Sequence, residues 1–302
     1  MDVYKNWMSY LKDDIKLIDV VMPSAHNACS YELNSMGCCQ GGNLYEQYSY
    51  GVRHFCIRLN TDKKGNIIVC HGISKGGYFT NDLKSMKKML EENDSEFFVF
   101  DIREYYDQKF GPITLKFKAD VNKMNDLLEE YIKPSEFAFT DFEDINTVTV
   151  GDIRKSGKRY ILYNFEKSYN YSVNCEYDFP WDKRINGLKA EGFSKEVTKL
   201  FDLGKMTGLN WFQIQQTPNL GTEIGVTTPK KLDIKLRPYF KDIIRQIESN
   251  EKYLKRANII ASDFMTEDYM KSASILKLNI CKNNICEEKA DEFASLLEEA
   301  LI

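Results

Sequence analysis

The chain of 302 residues is 43% hydrophobic and 28% charged, with only 7 Pro and 17 Gly, which excludes a disordered, collagenous or linker-rich protein. Its 41 Lys and Arg stand against 45 Asp and Glu, a net charge of −4, so no global field exists to hold nucleic acid.

Short β-branched or aromatic runs alternate with amphipathic helical patterns along the chain, and no repeat or linker divides it. Strands are predicted at 16–22 (KLIDVVM), 53–60 (RHFCIRLN), 66–72 (NIIVCHG), 96–104 (EFFVFDIRE), 159–165 (RYILYNF), 211–217 (WFQIQQT), 257–264 (ANIIASDF) and 274–280 (SILKLNI). Helices are predicted at 81–93, 113–132, 194–206 and 231–257. The last is expected to start near Pro238, because proline suits a first turn better than an interior. Eight strands with intervening helices suit one α/β domain over residues 1–302, a (β/α) barrel whose functional side chains sit at the C-terminal ends of strands. An open doubly wound sheet would carry a glycine-rich phosphate loop after its first strand, and DVVMPSAHN has none; SKGGYF (74–79) lacks phosphate-loop spacing and reads as a turn.

The three histidines, His26, His54 and His71, fall within 46 residues. His26 follows the first strand and a PSA turn, His71 ends the third strand, and Arg58 lies late in the strand between them. Two imidazoles and a guanidinium at one rim form a metal-free phosphotransfer set. One His takes a proton from an attacking hydroxyl, the other gives one to the leaving oxygen, and the Arg fork holds the phosphate. Imidazole suits both roles because its ordinary pKa of about 6.5 makes both protonation states accessible. His54 sits early in a strand with no second residue to support a role and reads as structural.

The runs VVMPSAHNACSYELN, YEQYSYGVRHFCIRLN and IIVCHG, in that order, resemble the X region of phosphatidylinositol-specific phospholipase C. FFVFDIREYY (97–106), FQIQQTP (212–218) and NIIASDFMTED (258–268) are similar to later strands of that family. The resemblance implies a single distorted TIM-type (β/α) barrel that cleaves an inositol phospholipid by its own 2-hydroxyl. It also implies His26 as general base, His71 as general acid, Arg58 as phosphate clamp and Asp263 as the carboxylate that orients His26. The alternative for Asp263 is a helix N-cap before FMTEDY. For headgroup contacts the candidates are Asn27, Arg103, Glu104 and Gln215, with Asp101, Tyr163, Asn164 and Gln216 nearby; which face of 96–104 points inward is left open.

Calcium-dependent relatives place acidic ligands where this chain has Cys56 and Arg58, and calcium needs several oxygens. No metal and no other cofactor is therefore expected. Two departures from the metal-independent pattern stand out: Cys56 replaces the Asp usual two residues before the strand's Arg, and position 27 is Asn where many bacterial members carry Asp. Cys56 motivates an alternative, a weakened barrel that binds phosphoinositide headgroups or a protein partner. The neutral sugar-contact positions motivate another, an enzyme for a different phosphodiester with a neighbouring hydroxyl.

The remaining features read simply. Eight cysteines with no paired C-x-x-C framework suggest reduced thiols, and neither Cys38 with Cys39 nor Cys281 with Cys286 forms a zinc set. The Lys84, Lys87 and Lys88 cluster reads as a solvated helix face. The opening MDVYKNWMSYLKDDIKL has no signal-peptide pattern, and no 18 consecutive residues are apolar. A soluble monomer is expected, meeting its inositol phospholipid peripherally at a membrane surface, cytoplasmic by default and secreted if a signal was removed.

Overall fold

The computed structural model describes residues 3–72, 74–104, 108–110, 113–115, 119–205, 207–217 and 227–299; for Glu104 and the strands at 108–110 and 113–115 only the backbone is described. The strands are β1 (Met22–Ala25), β2 (His54–Thr61), β3 (Ile67–His71), β4 (Ser74–Tyr78), β5 (Phe98–Glu104), β6 (Gln108–Phe110), β7 (Ile113–Leu115), β8 (Tyr160–Tyr163), β9 (Tyr177–Asp178), β10 (Leu209–Gln213) and β11 (Ile259–Ser262). The parallel ladder runs β8-β5-β2-β1-β11-β10-β9. The β3-β4 hairpin is laid antiparallel on the far end of β2, and β6-β7 pair separately. Between β8 and β9 no ladder forms among the described residues; a parallel bridge from Tyr163 to Val173 and stacked rings of Tyr163 and Tyr177, 4.5 Å apart, span that gap. The result is a distorted TIM-type α/β barrel, its ring left unclosed by hydrogen bonds.

Strand alternation sorts the side chains into two cores. Phe55, Ile57, Phe98, Phe100, Ile102, Tyr160, Leu162, Phe212 and Ile260 face outward and pack beneath the helices. Met22, Cys56, Val99, Ile161, Trp211, Ile259 and Ala261 face inward and fill the barrel with Trp7 and other N-terminal residues. Arg53, fully buried, bonds Glu96 at 2.6 and 2.8 Å and the carbonyls of Tyr4, Tyr48 and Val52. That ion pair lies with the N-terminal segment, at the strand starts, away from the strand ends that carry the polar inward residues.

The structure corrects several elements. Residues 274–280 are not a strand but part of the helix Tyr269–Cys281, capped by Asp268. That helix is buried around most of its circumference, so its sequence shows no polar stripe. SKGGY is strand β4 rather than a turn; a Cβ at Gly76 would meet Leu33 Cδ2 at 2.6 Å, so glycine there allows the close approach. The predicted 113–132 helix spans only Val121–Ile132, preceded by β7. The final helical stretch begins at Pro229 after the Thr228 cap; Pro238 sits in a 3-10 turn joining Pro229–Leu236 to Phe240–Glu248. Among the described residues no helix is long and apolar enough to cross a membrane.

Candidate active site

The C-terminal ends of the strands deliver His26, Arg58, His71, Arg103 and Asp263 to the wall of one cavity of about 350 Å³. Trp211, Gln213, Phe179 and Trp181 complete much of it. Two backbone turns present the first and last of these polar residues. Asn27, next to His26, has φ +47°, and Phe264, next to Asp263, has φ +51°. Asn accepts the left-handed region readily, whereas a bulky Phe there is held by its surroundings.

The surroundings are residues 37–40. Cys39 O accepts from Phe264 N at 2.8 Å. The fully buried Gln40 donates from Nε2 to His26 O (2.9 Å) and Ser262 O (3.1 Å), and its Oε1 accepts from Met265 N at 3.0 Å. Gly37 O accepts from His71 Nδ1 at 2.9 Å. A Cβ on Gly37 would sit 2.5 Å from Ser74 Cβ, so only glycine lets this carbonyl reach the histidine.

His26 Nδ1 donates to Asp263 Oδ1 at 2.8 Å, and Asn27 Nδ2 lies 3.1 Å from His26 Nε2. The amide N–H can bond Nε2 only where that nitrogen carries a lone pair, which leaves the ring proton on Nδ1, facing the carboxylate. Burial, and then the Arg58 and Arg103 charges, push His26 down to about 3, so it rests as the neutral base. His71 is pushed down to about 4 by burial, followed by His26; the Gly37 carbonyl pulls the other way. The two rings stand edge to face, centroids 6.1 Å apart. Asp263 caps neither of the helices that follow it: Phe264 holds the N-cap position of the 3-10 turn Met265–Glu267, and Asp268 caps Tyr269–Cys281. Behind it, Lys271 Nζ bonds Asp263 O and Asp233 Oδ1, both at 2.5 Å, in full burial.

The strand register bears on the unusual Cys56. Cys56 pairs with Asp101 and Arg58 with Arg103 across β2 and β5. Asp101 and Arg103 therefore face inward, settling which side of that strand looks into the barrel. The Asp-x-Arg pattern absent from β2 is present one strand over. Fully buried Asp101 accepts from Arg103 Nε at 2.9 and 2.8 Å and pairs with Nη2 at 2.8 Å. The guanidinium lies 4.9 Å from the ring centroids of Trp211 and Phe179 and 5.3 Å from Tyr177.

A chain of buried hydrogen bonds supports this pair. Trp211 Nε1 donates to Ser24 Oγ (3.2 Å), which meets His54 Nδ1 at 2.7 Å; His54 Nε2 meets Tyr177 Oη at 2.9 Å, and that hydroxyl donates to Asp101 Oδ2 at 3.0 Å. Every hydrogen in this order has an acceptor only if His54 is neutral with its proton on Nε2. Burial keeps it so, pushing His54 down to about 4.

Of the headgroup candidates, Arg103 lines the cavity and Asn27 touches His26. Gln215 does not line it: its Nε2 is held by Gln213 Oε1 at 2.5 Å, and the wall is made by Gln213 and Gln216. The Glu104 side chain lies outside the described residues. Sequence reading missed Gln40, Cys39, Tyr177, Trp211, Phe179 and Trp181, and gave no role to Ser24. The strand alternation of WFQ, which puts Trp211 and Gln213 on one face, was the available signal for two wall residues.

No family model and no curated protein matches the chain. Solved structures do. The phosphatidylinositol-specific phospholipase C from Listeria monocytogenes superposes with a TM-score of 0.63 at 18% identity, over 91% of this chain and 98% of that one. A structure of the Staphylococcus aureus enzyme gives 0.61 at 18% identity, covering 91% and 97%. A double mutant of the latter gives 0.59 at 16%, covering 86% and 90%. The chain has the fold of the bacterial phosphatidylinositol-specific phospholipases C. The phospholipase fold expected from the His26, Arg58 and His71 motifs is thus the fold observed.

Proposed function

We propose that the chain is a metal-independent phosphodiesterase that cleaves phosphatidylinositol, or its glycosylated form, releasing diacylglycerol and inositol 1,2-cyclic phosphate. Residues 1–302 act as one catalytic barrel, a monomer working peripherally at a membrane surface. The observation that carries this reading is the pair of imidazoles at one cavity wall, each with Nδ1 committed to an acceptor, beside Arg58.

The inositol 2-hydroxyl attacks phosphorus while His26 Nε2 takes its proton, and Asp263 stabilises the imidazolium through the Nδ1 hydrogen bond. Arg58 holds the phosphate oxygens as charge gathers on them. His71 gives a proton from Nε2 to the leaving glycerol oxygen. Because His71 rests neutral, it acquires that proton as the anionic phosphate enters, and substrate binding is coupled to proton uptake. The neutral Gln213 and Gln216 side chains and Arg103 meet the sugar hydroxyls. The half-exposed rings of Phe179 and Trp181 at the mouth suit contact with a lipid surface.

The test is release of diacylglycerol from phosphatidylinositol micelles under excess chelator, by the wild type and by Asp263→Asn. The wild type turns over; Asp263→Asn falls by ~10²–10⁴-fold in kcat with KM little changed. No release from phosphatidylinositol or its glycosylated form by folded protein would overturn the reading and favour the headgroup-binding alternative or another diester.

A further inference from the structure

Cys39 is the cysteine among the residues lining the cavity, and nothing in the phosphodiesterase reading uses its thiol. Its Sγ lies 3.6 Å from His71 Nδ1 and 3.6 Å from Asn27 Nδ2. One ligand atom each from His26, Cys39 and Asp263 can be chosen so that all lie within 4.8 Å of one another. A tetrahedral ion with metal–sulfur and metal–nitrogen bonds of ~2.3 and ~2.0 Å wants its ligands ~3.5 Å apart, so closure needs about an ångström of side-chain movement.

A second observation points to a ligand. Asn27 Oδ1 is buried and has no hydrogen-bond partner among the described residues, while the same amide's nitrogen faces His26 Nε2. An orphaned buried acceptor is costly and calls for an explanation. If a cation took His26 Nδ1, the ring proton would move to Nε2, and a turn of the Asn27 amide would place Oδ1 there to accept it. The orphan is satisfied in the ion-bound arrangement.

We propose that His26, Cys39 and Asp263 form a site for a thiophilic divalent cation of the zinc class, and that the ion, when bound, shuts the catalytic centre. Binding exchanges the Cys39 Sγ–H bond for an Sγ–metal bond and sends that proton to solvent; the His26 ring proton is retained on Nε2, and no redox change occurs. The thiolate and the Asp263 carboxylate then balance the two positive charges, which offsets the repulsion from Arg58 and Arg103. With one sulfur, one nitrogen and one carboxylate oxygen, the set suits zinc or cobalt and not calcium or magnesium, which want several oxygens. An ion on His26 and Asp263 removes the base and its orienting carboxylate together. That inhibitory consequence rests on the phosphodiesterase reading; the binding itself does not.

The experiment titrates chelator-stripped, reduced protein with Co²⁺ and records the thiolate-to-cobalt charge-transfer absorption, with Zn²⁺ as competitor. The expected result is one equivalent bound with tetrahedral bands, displaced by Zn²⁺, and affinity lowered ~100-fold or more in both Cys39→Ser and His26→Ala, beyond the 10–100-fold typical of an outer partner. Cys38→Ser, whose thiol bonds Gln40 O instead, keeps the bands. Thermal melts of each variant establish that it is folded. Absence of the bands in the wild type, or their persistence in folded Cys39→Ser or His26→Ala, overturns the proposal. Bands that depend on Cys39 and His26 in a protein without phosphodiesterase activity would uphold the site and refute the functional reading. Where activity is present, micromolar Zn²⁺ inhibits it reversibly to chelator, and activity indifferent to a saturated site would overturn the inhibitory role.

Discussion

Replacing Asp101 by Asn tests whether the carboxylate on β5 does the work that Cys56 cannot. Asp101 is fully buried, Arg103 is 9% exposed, and three contacts of 2.8 to 2.9 Å join them, with Tyr177 as a further donor at 3.0 Å. Removing one partner of a buried ion pair costs about 3–5 kcal/mol, because the other charge stays in a low-dielectric site. Asn retains one carbonyl oxygen and can keep one of the accepted bonds, so the lower end, ~3 kcal/mol, is expected. At ~2 °C per kcal/mol for a chain of this size, the melting temperature falls by about 6 °C. Losing its anchor, the guanidinium shifts from its place between Trp211 and Phe179, and turnover drops ~10²-fold, as catalytic geometry lost by an ångström does. The assay is urea unfolding of Asp101→Asn, Arg103→Gln and the double variant, with kcat measured alongside. The double variant should be less destabilised than the sum of the singles by ~2 kcal/mol. A single-variant cost below ~1 kcal/mol, or additive singles, would refute the claim that Asp101 exists to hold Arg103.

Gln40→Ala strips acceptor and donors from Met265 N, His26 O and Ser262 O at once, so it should cost about 1–3 kcal/mol and lower kcat without raising KM in proportion; unchanged stability by urea unfolding would contradict this. His54, pushed down to about 4, should show proton-NMR ring shifts that stay flat from pH 8 to 5, and a midpoint near 6.5 would contradict its place in the hydrogen-bond chain. The unfolded chain binds the proton first, so the stability His54 contributes is complete above pH ~6.5 and is lost at up to ~1.4 kcal/mol per pH unit as pH falls toward 4.

The polar residues on the cavity wall divide by how far their partners lie along the chain. His26, Arg58 and His71 were legible because they fall within 46 residues, His26 and His71 at or just past a strand end and Arg58 in the C-terminal half of its strand, where the barrel rule makes position meaningful. Asp263 was legible through the resemblance, and the N-cap alternative fell because Asp268 carries the cap. His54 looked unsupported because its partners, Ser24 and Tyr177, lie 30 and 123 residues away. Asp101 could not be matched to Cys56 from sequence, since that match is a register between strands. The same limit hid Gln40, which acts by reaching backbone atoms 14 and 222 residues distant. Residues 274–280 misled because a helix buried on nearly every side and a buried strand are both continuous apolar runs.

Phosphorus NMR distinguishes an intramolecular phosphoryl transfer driven by His26 and His71 from direct attack by water. Wild-type protein with phosphatidylinositol in detergent micelles and excess chelator should produce the signal of a five-membered cyclic phosphodiester as the first product, and His71→Ala should not. Direct appearance of the phosphomonoester with no cyclic species, or a cyclic signal undiminished in His71→Ala, would contradict the account.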